Sequence, residues 1–232
     1  MQPDYFERLA AAYVRGRLAD SPEAQGAPEL FALPLDALDG AALRDLIALG
    51  VAQGLRLHRF KRTMGLARVQ RVLGALRALA PQQLLDIGSG RGAFLWPLLD
   101  AFPQLPVTAV DLLDYRVADM EAVRRGGVDL LEAHQADATA LPFPDGSFEV
   151  ATLLEVLEHI PEPARALAEA ARVARRALLL SVPSKPDDNP EHIHLFDEPT
   201  LRRLLLEAGA RRVNSDYVLN HLIVVATLTD SR

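Results

Sequence analysis

One short stretch limits what this chain can fold into: Leu84-Leu85-Asp86-Ile87-Gly88-Ser89-Gly90-Arg91-Gly92-Ala93-Phe94. An apolar run of strand length takes up a carboxylate and then breaks into a turn with glycine at every second position, the pattern of a strand running into a helix. Without Cβ atoms, Gly88, Gly90 and Gly92 can take positive φ and let a ligand lie directly on the backbone, while free N–H groups of the next helix point at it. Two ligand chemistries compete for such a turn. Gly88-x-Gly90-x-x-Ala93 fits the dinucleotide fingerprint, with Asp111 about 20 residues on, where a ribose carboxylate is expected. Asp86, just before the first glycine, would repel a pyrophosphate and instead suits a ligand with positive groups, by Coulomb attraction at short range. A nicotinamide-dependent oxidoreductase is therefore the rival from another class, and a turn without a ligand is the bland alternative.

Read as Asp-x-Gly-x-Gly-x-Gly, the stretch resembles motif I of the class I S-adenosylmethionine (AdoMet) methyltransferases, whose ligand carries an ammonium and a sulfonium. Further along, Val107–Asp111 has the composition of a second buried strand and ends in a carboxylate. A third strand, Asp129 to Gln135, runs into Ala136-Asp137-Ala138, and a fourth, Val150 to Leu154, delivers Glu155. In an open, doubly wound sheet all carboxyl ends lie along one edge, and ligands bind where the strand order reverses, between the first and fourth strands. Asp86, Asp111, Asp137 and Glu155 are thereby expected around one ligand.

The resemblance covers Leu84 to about Leu228 and implies roles. Asp111 would hold the ribose hydroxyls with Leu112 beside the adenine ring, and Asp137, followed by Ala138, would take the adenine amino group. Asp86, Gly88, Ser89, Gly90, Gly92 and Glu155 complete the implied AdoMet-binding set. Leu141 to Val150 is similar to the family's turn into the fourth strand, with Glu149 where the family usually has Asp, a change expected to relax packing there. The implied fold is α/β: a doubly wound, Rossmann-like, seven-stranded and mostly parallel sheet with an antiparallel last strand. A helical N-terminal cap is expected over residues 1–62 and the AdoMet-binding domain over 63–232.

With 232 residues, half of them apolar, the chain can bury one sizeable core with a small helical appendage. Asp4 to Leu18 has helical spacing, Ser21 to Pro28 is expected to be a loop from its proline and glycine content, and Asp39 is placed to cap a second helix weakened in its middle by Gly50 and Gly54. The absence of cysteine excludes disulfides, thiolate zinc sites and cysteine nucleophiles. A net charge of −6 argues against a general nucleic-acid coat. Yet no acidic residue lies between Leu46 and Leu85, where Arg56, Arg59, Lys61, Arg62, Arg68, Arg71 and Arg77 are all basic. That segment either receives an anionic ligand or RNA, or is a solvated face paired with acids elsewhere. No apolar stretch approaches membrane-span length, so a cytoplasmic protein without membrane contact is expected, its oligomeric state left open.

Methyl transfer is an in-line displacement at carbon, so a protein chiefly has to hold acceptor, methyl and sulfur in line and exclude water. An acceptor of high pKa also needs a base or a metal, and histidines are tuned for proton removal near neutrality. His159, past the fourth strand, and His194, on the loop after the fifth together with His192, are the catalytic candidates. Glu155, Glu158 and His159 stand at i, i+3 and i+4, and His192 or His194 could close a metal-ligand set. Glu-x-x-Glu-His resembles an arrangement in metal-dependent small-RNA 2′-O-methyltransferases and in ubiquinone-pathway O-methyltransferases; whether a metal binds is left open. The expected function is AdoMet-dependent methylation of an O or N atom of a small-molecule metabolite. RNA 2′-O-methylation and a non-catalytic AdoMet-binding module are the alternatives.

Overall fold

A computed structural model of the protein describes residues 5–62 and 66–228. The domain boundary expected at residue 63 and the helix start expected at Asp4 lie outside the described residues. Seven strands form one sheet: β1 (Leu84–Ile87), β2 (Val107–Asp111), β3 (Leu131–Gln135), β4 (Phe148–Leu154), β5 (Ala174–Pro183), β6 (Ala210–Val218) and β7 (His221–Leu228). Their order across the sheet is β3-β2-β1-β4-β5-β7-β6. β1 pairs in parallel with both β2 and β4, while β7 runs antiparallel between β5 and β6. The order therefore reverses between β1 and β4, as expected, and every carboxyl end from β1 to β5 lies on one edge.

Apolar runs without alternation make β1, β2, β4 and β5 strands that are buried on both faces. On one face lie α1 (Glu7–Leu18), α4 (Gly40–Ala52), α5 (Ala67–Leu79), α6 (Leu95–Ala101) and α7 (Asp114–Arg125), around a core that includes Phe60, Trp96 and Met120. On the other lie α8 (Pro163–Val173) and α9 (Glu198–Glu207), packed through Leu167, Leu201 and Leu205. The Asp39 carboxylate accepts from Ala41 N and Ala42 N, the cap expected from the sequence, and that of Asp197 accepts from Thr200 N at the start of α9. Ser21–Pro28, expected to be a loop, instead contains α2 (Pro22–Gly26) and leads into α3 (Pro28–Ala32). Proline sits in the first turn of each, where its missing N–H has no helical partner to lose, and Ser21 caps the first.

α1 is joined to the sheet domain without a gap. A Cβ on Gly16 of α1 would collide with the Ala122 carbonyl of α7, and one on Gly126, just past α7, with the Ala12 carbonyl of α1. The two backbones meet because neither position has a side chain. Beside this seam, Asp119 of α7 is 5% exposed and accepts from Tyr13 Oη at 3.0 Å and Arg17 at 2.6 Å, with Arg59 as a further ion-pair partner.

Candidate functional site

The turn after β1 has the conformation that its glycines allow, with φ of +70° at Gly88, +59° at Gly90 and +80° at Gly92. Gly88 N and Ser89 N both donate to the Val110 carbonyl of β2. Gly90 N donates to Asp111 Oδ2 at 2.7 Å, and Leu113 N donates to Asp111 Oδ1 at 3.0 Å. The carboxylate at the end of β2 thus ties two turns together, with the Arg116 guanidinium 3.4 Å away.

A cavity of about 590 Å³ opens over this edge, lined by Gly88, Gly90, Asp111, Leu112, Asp137, Ala138, Glu155 and His159 among others. That volume is in the range that encloses a nucleoside-sized ligand. Leu112 is 62% exposed at its rim, an apolar side chain left facing the opening. Asp137 Oδ1 accepts from both N and Oγ1 of Thr139, which holds its carboxyl below the usual carboxylate range. A second cavity, of about 170 Å³, lies beside the first and includes Arg68, Asp86, Ser89, Arg91 and Glu155 in its lining. The two share Gly88, Gly90 and Glu155. All lining residues of both come from position 68 onward, so no described residue of 5–62 lines either one.

Three sequence-predicted residues have different surroundings from those expected. The Asp86 carboxylate belongs to the lining of the smaller cavity but is 2% exposed, with Thr152 Oγ1 and Ser89 Oγ each donating to it at 2.7 Å, and burial pushes its pKa up to about 6. Gly92 lines neither cavity; a Cβ there would run into the Trp96 indole, so its bareness serves the core. His194 lines neither cavity as well. Its Nε2 is buried without a partner and its ring leans on Phe196, 5.6 Å between centroids.

Glu155 is a non-glycine residue at φ +57°, where an L side chain is strained, at the exit of β4. From there its carboxylate pairs with residues of β5, β7 and α5. Ser181 Oγ donates to its Oε1 at 2.6 Å, His221 Nε2 lies 3.1 Å from its Oε2, and Arg68 Nε is 3.7 Å from Oε1. The helical i, i+3, i+4 spacing therefore does not hold, because Glu155 ends a strand before the 3-10 turn at 157–159 begins. Glu158, His159 and His192 do come together, with one ligand atom from each within 4.8 Å of the others. Sequence reasoning missed Ser181 and His221. A search of strand exits finds Glu155, whereas His221 stands at the entry of an antiparallel strand, which the pairing of Pro183 with His221 brings to the same edge.

Comparison with known proteins agrees with this fold. A family model described as "Methyltransferase domain" matches residues 85–180. A demethylmenaquinone methyltransferase of Renibacterium salmoninarum is 36% identical over 69% of this chain and 58% of its own length. A malonyl-[acyl-carrier protein] O-methyltransferase of Geobacter sulfurreducens is 30% identical over 69% of each chain. The chain thus spans little more than half of the first relative's length. Among solved structures, a SAM-dependent methyltransferase from Aquifex aeolicus superposes with a TM-score of 0.58 at 23% identity, over 69% of this chain and 89% of that one, a likeness of fold.

Proposed function

Since the chain belongs to the class I S-adenosylmethionine-dependent methyltransferases, we propose that it transfers a methyl group from AdoMet to an oxygen or nitrogen atom of a small-molecule acceptor. The observation that carries this is the meeting of two cavities at Gly88, Gly90 and Glu155, one of about 590 Å³ and one of about 170 Å³. The larger suits the cofactor and the smaller an acceptor of metabolite size.

The residues present fit AdoMet, which when bound supplies a methyl carbon activated by positively charged sulfur. Asp111 would accept from the ribose hydroxyls through lone pairs beyond those used by Gly90 N and Leu113 N. Leu112 would pack on the adenine, Asp137 would take its amino group, and the bare backbone at Gly88 and Gly90 would let the ligand lie close. Asp86 acts through the turn, which Ser89 and Thr152 fix with it. Glu155 lines both cavities and is the proton acceptor for a neutral acceptor atom, with His221 and Ser181 holding its carboxylate in place. Arg68 supplies positive charge at the acceptor's end.

The basic run supports a small acceptor over RNA. Arg59 pairs with Asp119, Arg62 with Asp100 and Arg71 with Asp216, while Arg77 lies over the Phe102 ring. Of that run, Arg68 alone lines the cavities described above. The test is to incubate the protein with methyl-labelled AdoMet and a cell extract, then separate small molecules from macromolecules with and without ribonuclease. Label among the small molecules is expected. Ribonuclease-sensitive label in the macromolecular fraction would overturn the acceptor class, and no label in any fraction would overturn catalysis.

A further inference from the structure

Glu158 is fully buried, and neither of its carboxylate oxygens has a hydrogen-bond partner among the described residues. A buried carboxylate with nothing to accept from is costly, and native structures rarely leave one without an ion, a proton or a partner. Two imidazoles stand next to it, His159 and His192, with ring centroids 4.8 Å apart. Both are oriented in the same way. His159 Nδ1 lies 2.9 Å from the Glu191 carbonyl, and His192 Nδ1 lies 2.9 Å from Asp187 Oδ2. A carbonyl or carboxylate can only accept, so each ring carries its proton on Nδ1 and keeps a lone pair on Nε2. A metal-binding histidine is oriented by its outer partner in this manner.

We propose that Glu158, His159 and His192 bind a divalent cation of the zinc type through one carboxylate and two imidazole Nε2 atoms, with Asp187 and the Glu191 carbonyl orienting the rings. The donor set selects the ion: two nitrogens and one oxygen suit Zn²⁺, Co²⁺, Ni²⁺ or Fe²⁺, whereas Mg²⁺ and Ca²⁺ require oxygen shells. Three protein ligands leave a position open to the large cavity, which His159 and Glu191 both line. The backbone also suits the role, since Ile193 N and His194 N both donate to the Glu158 carbonyl and pin the 184–197 loop onto the turn that bears the other two ligands. The site does not depend on methyl transfer, so its success or failure is separable from that of the proposed reaction.

The test uses the full chain, stripped with a chelator and titrated with Co²⁺, whose visible bands report nitrogen coordination, followed by displacement with Zn²⁺. Wild type should take up one equivalent, with bands of the low-symmetry, four- or five-coordinate kind. Glu158→Gln and His192→Gln should abolish those bands, and Asp187→Asn should weaken binding by roughly tenfold, the effect of an outer partner. His134→Gln, on β3 away from the cluster, should bind as wild type does. A parallel thermal melt guards against misfolded variants: Zn²⁺ should raise the melting temperature of wild type and of His134→Gln, and leave that of Glu158→Gln and His192→Gln unmoved. Absence of Co²⁺ bands in wild type, or equal binding by wild type, Glu158→Gln and His192→Gln, would overturn the site.

Discussion

Glu149, at the foot of β4, accepts from Gln82 N at 3.0 Å, from Arg175 at 2.5 Å and from Arg176 at 2.7 Å. The departure from the family's usual Asp was expected to loosen this corner, yet the longer side chain reaches three donors on two segments. Those donors, the Gln82 amide first, hold its carboxyl down to about 2 from an ordinary 4.5. A depressed carboxylate contributes stability that is fully present above the unfolded pKa and lost as pH falls through the folded one. Glu149→Gln should therefore destabilise the protein by about 2 kcal/mol at pH 7. The deficit should shrink as pH falls from about 4.5 toward 2, where wild type has lost the same interaction. Chemical denaturation of both proteins at several pH values measures this. At this scale the sequence shows which residues end strands, so Asp111, Asp137 and Glu155 are legible in it. It does not show what a side chain is bound to, and the pairing of Asp86 with Ser89 and Thr152 is invisible until β4 lies beside β1.

Among the elements, the glycine turn after β1 separates into positions with different duties. A Cβ on Gly88 would come within 2.6 Å of the Val156 side chain, while one on Gly90 would meet protein atoms no closer than 3.7 Å. Gly90→Ala therefore strains only its own positive φ, which costs on the order of 1–2 kcal/mol, and places its methyl group where the ligand should lie. The variant should keep its circular dichroism and lose AdoMet binding in a calorimetric titration. Binding of wild-type strength would remove the turn from the site. The strand-to-helix pattern locates this turn from sequence alone, because glycine spacing is a local property. It cannot tell that Gly92 makes room for Trp96, since that contact depends on how α6 settles after the turn.

For the whole molecule, the α1–α7 seam decides how the N-terminal helices relate to the sheet. Gly126→Ala puts a methyl group against the Ala12 carbonyl and should destabilise the protein by about 1–3 kcal/mol, the usual penalty of overpacking. If α1 and the sheet unfold together, tyrosine fluorescence and far-ultraviolet circular dichroism should give coincident melts in wild type and shift together in the variant. Separate transitions would show that the helices are an independent unit. Hydrophobic spacing gives α1 its helix and its apolar face, but the partner of that face is a long-range matter. Nothing near Gly16 or Gly126 in the sequence says that they meet.

The position of β7 has a consequence for how the protein is made. Among the described residues β6 pairs only with β7, and β7 bridges it to β5. During synthesis, β6 leaves the ribosome with no neighbour to join, and Glu155 waits without His221. Only when residues 221–228 slide into the gap are the sheet and the cleft finished by the same event. Closure of the sheet and the pairing of Glu155 with His221 are thus one event, and a chain that has not yet placed β7 lacks both.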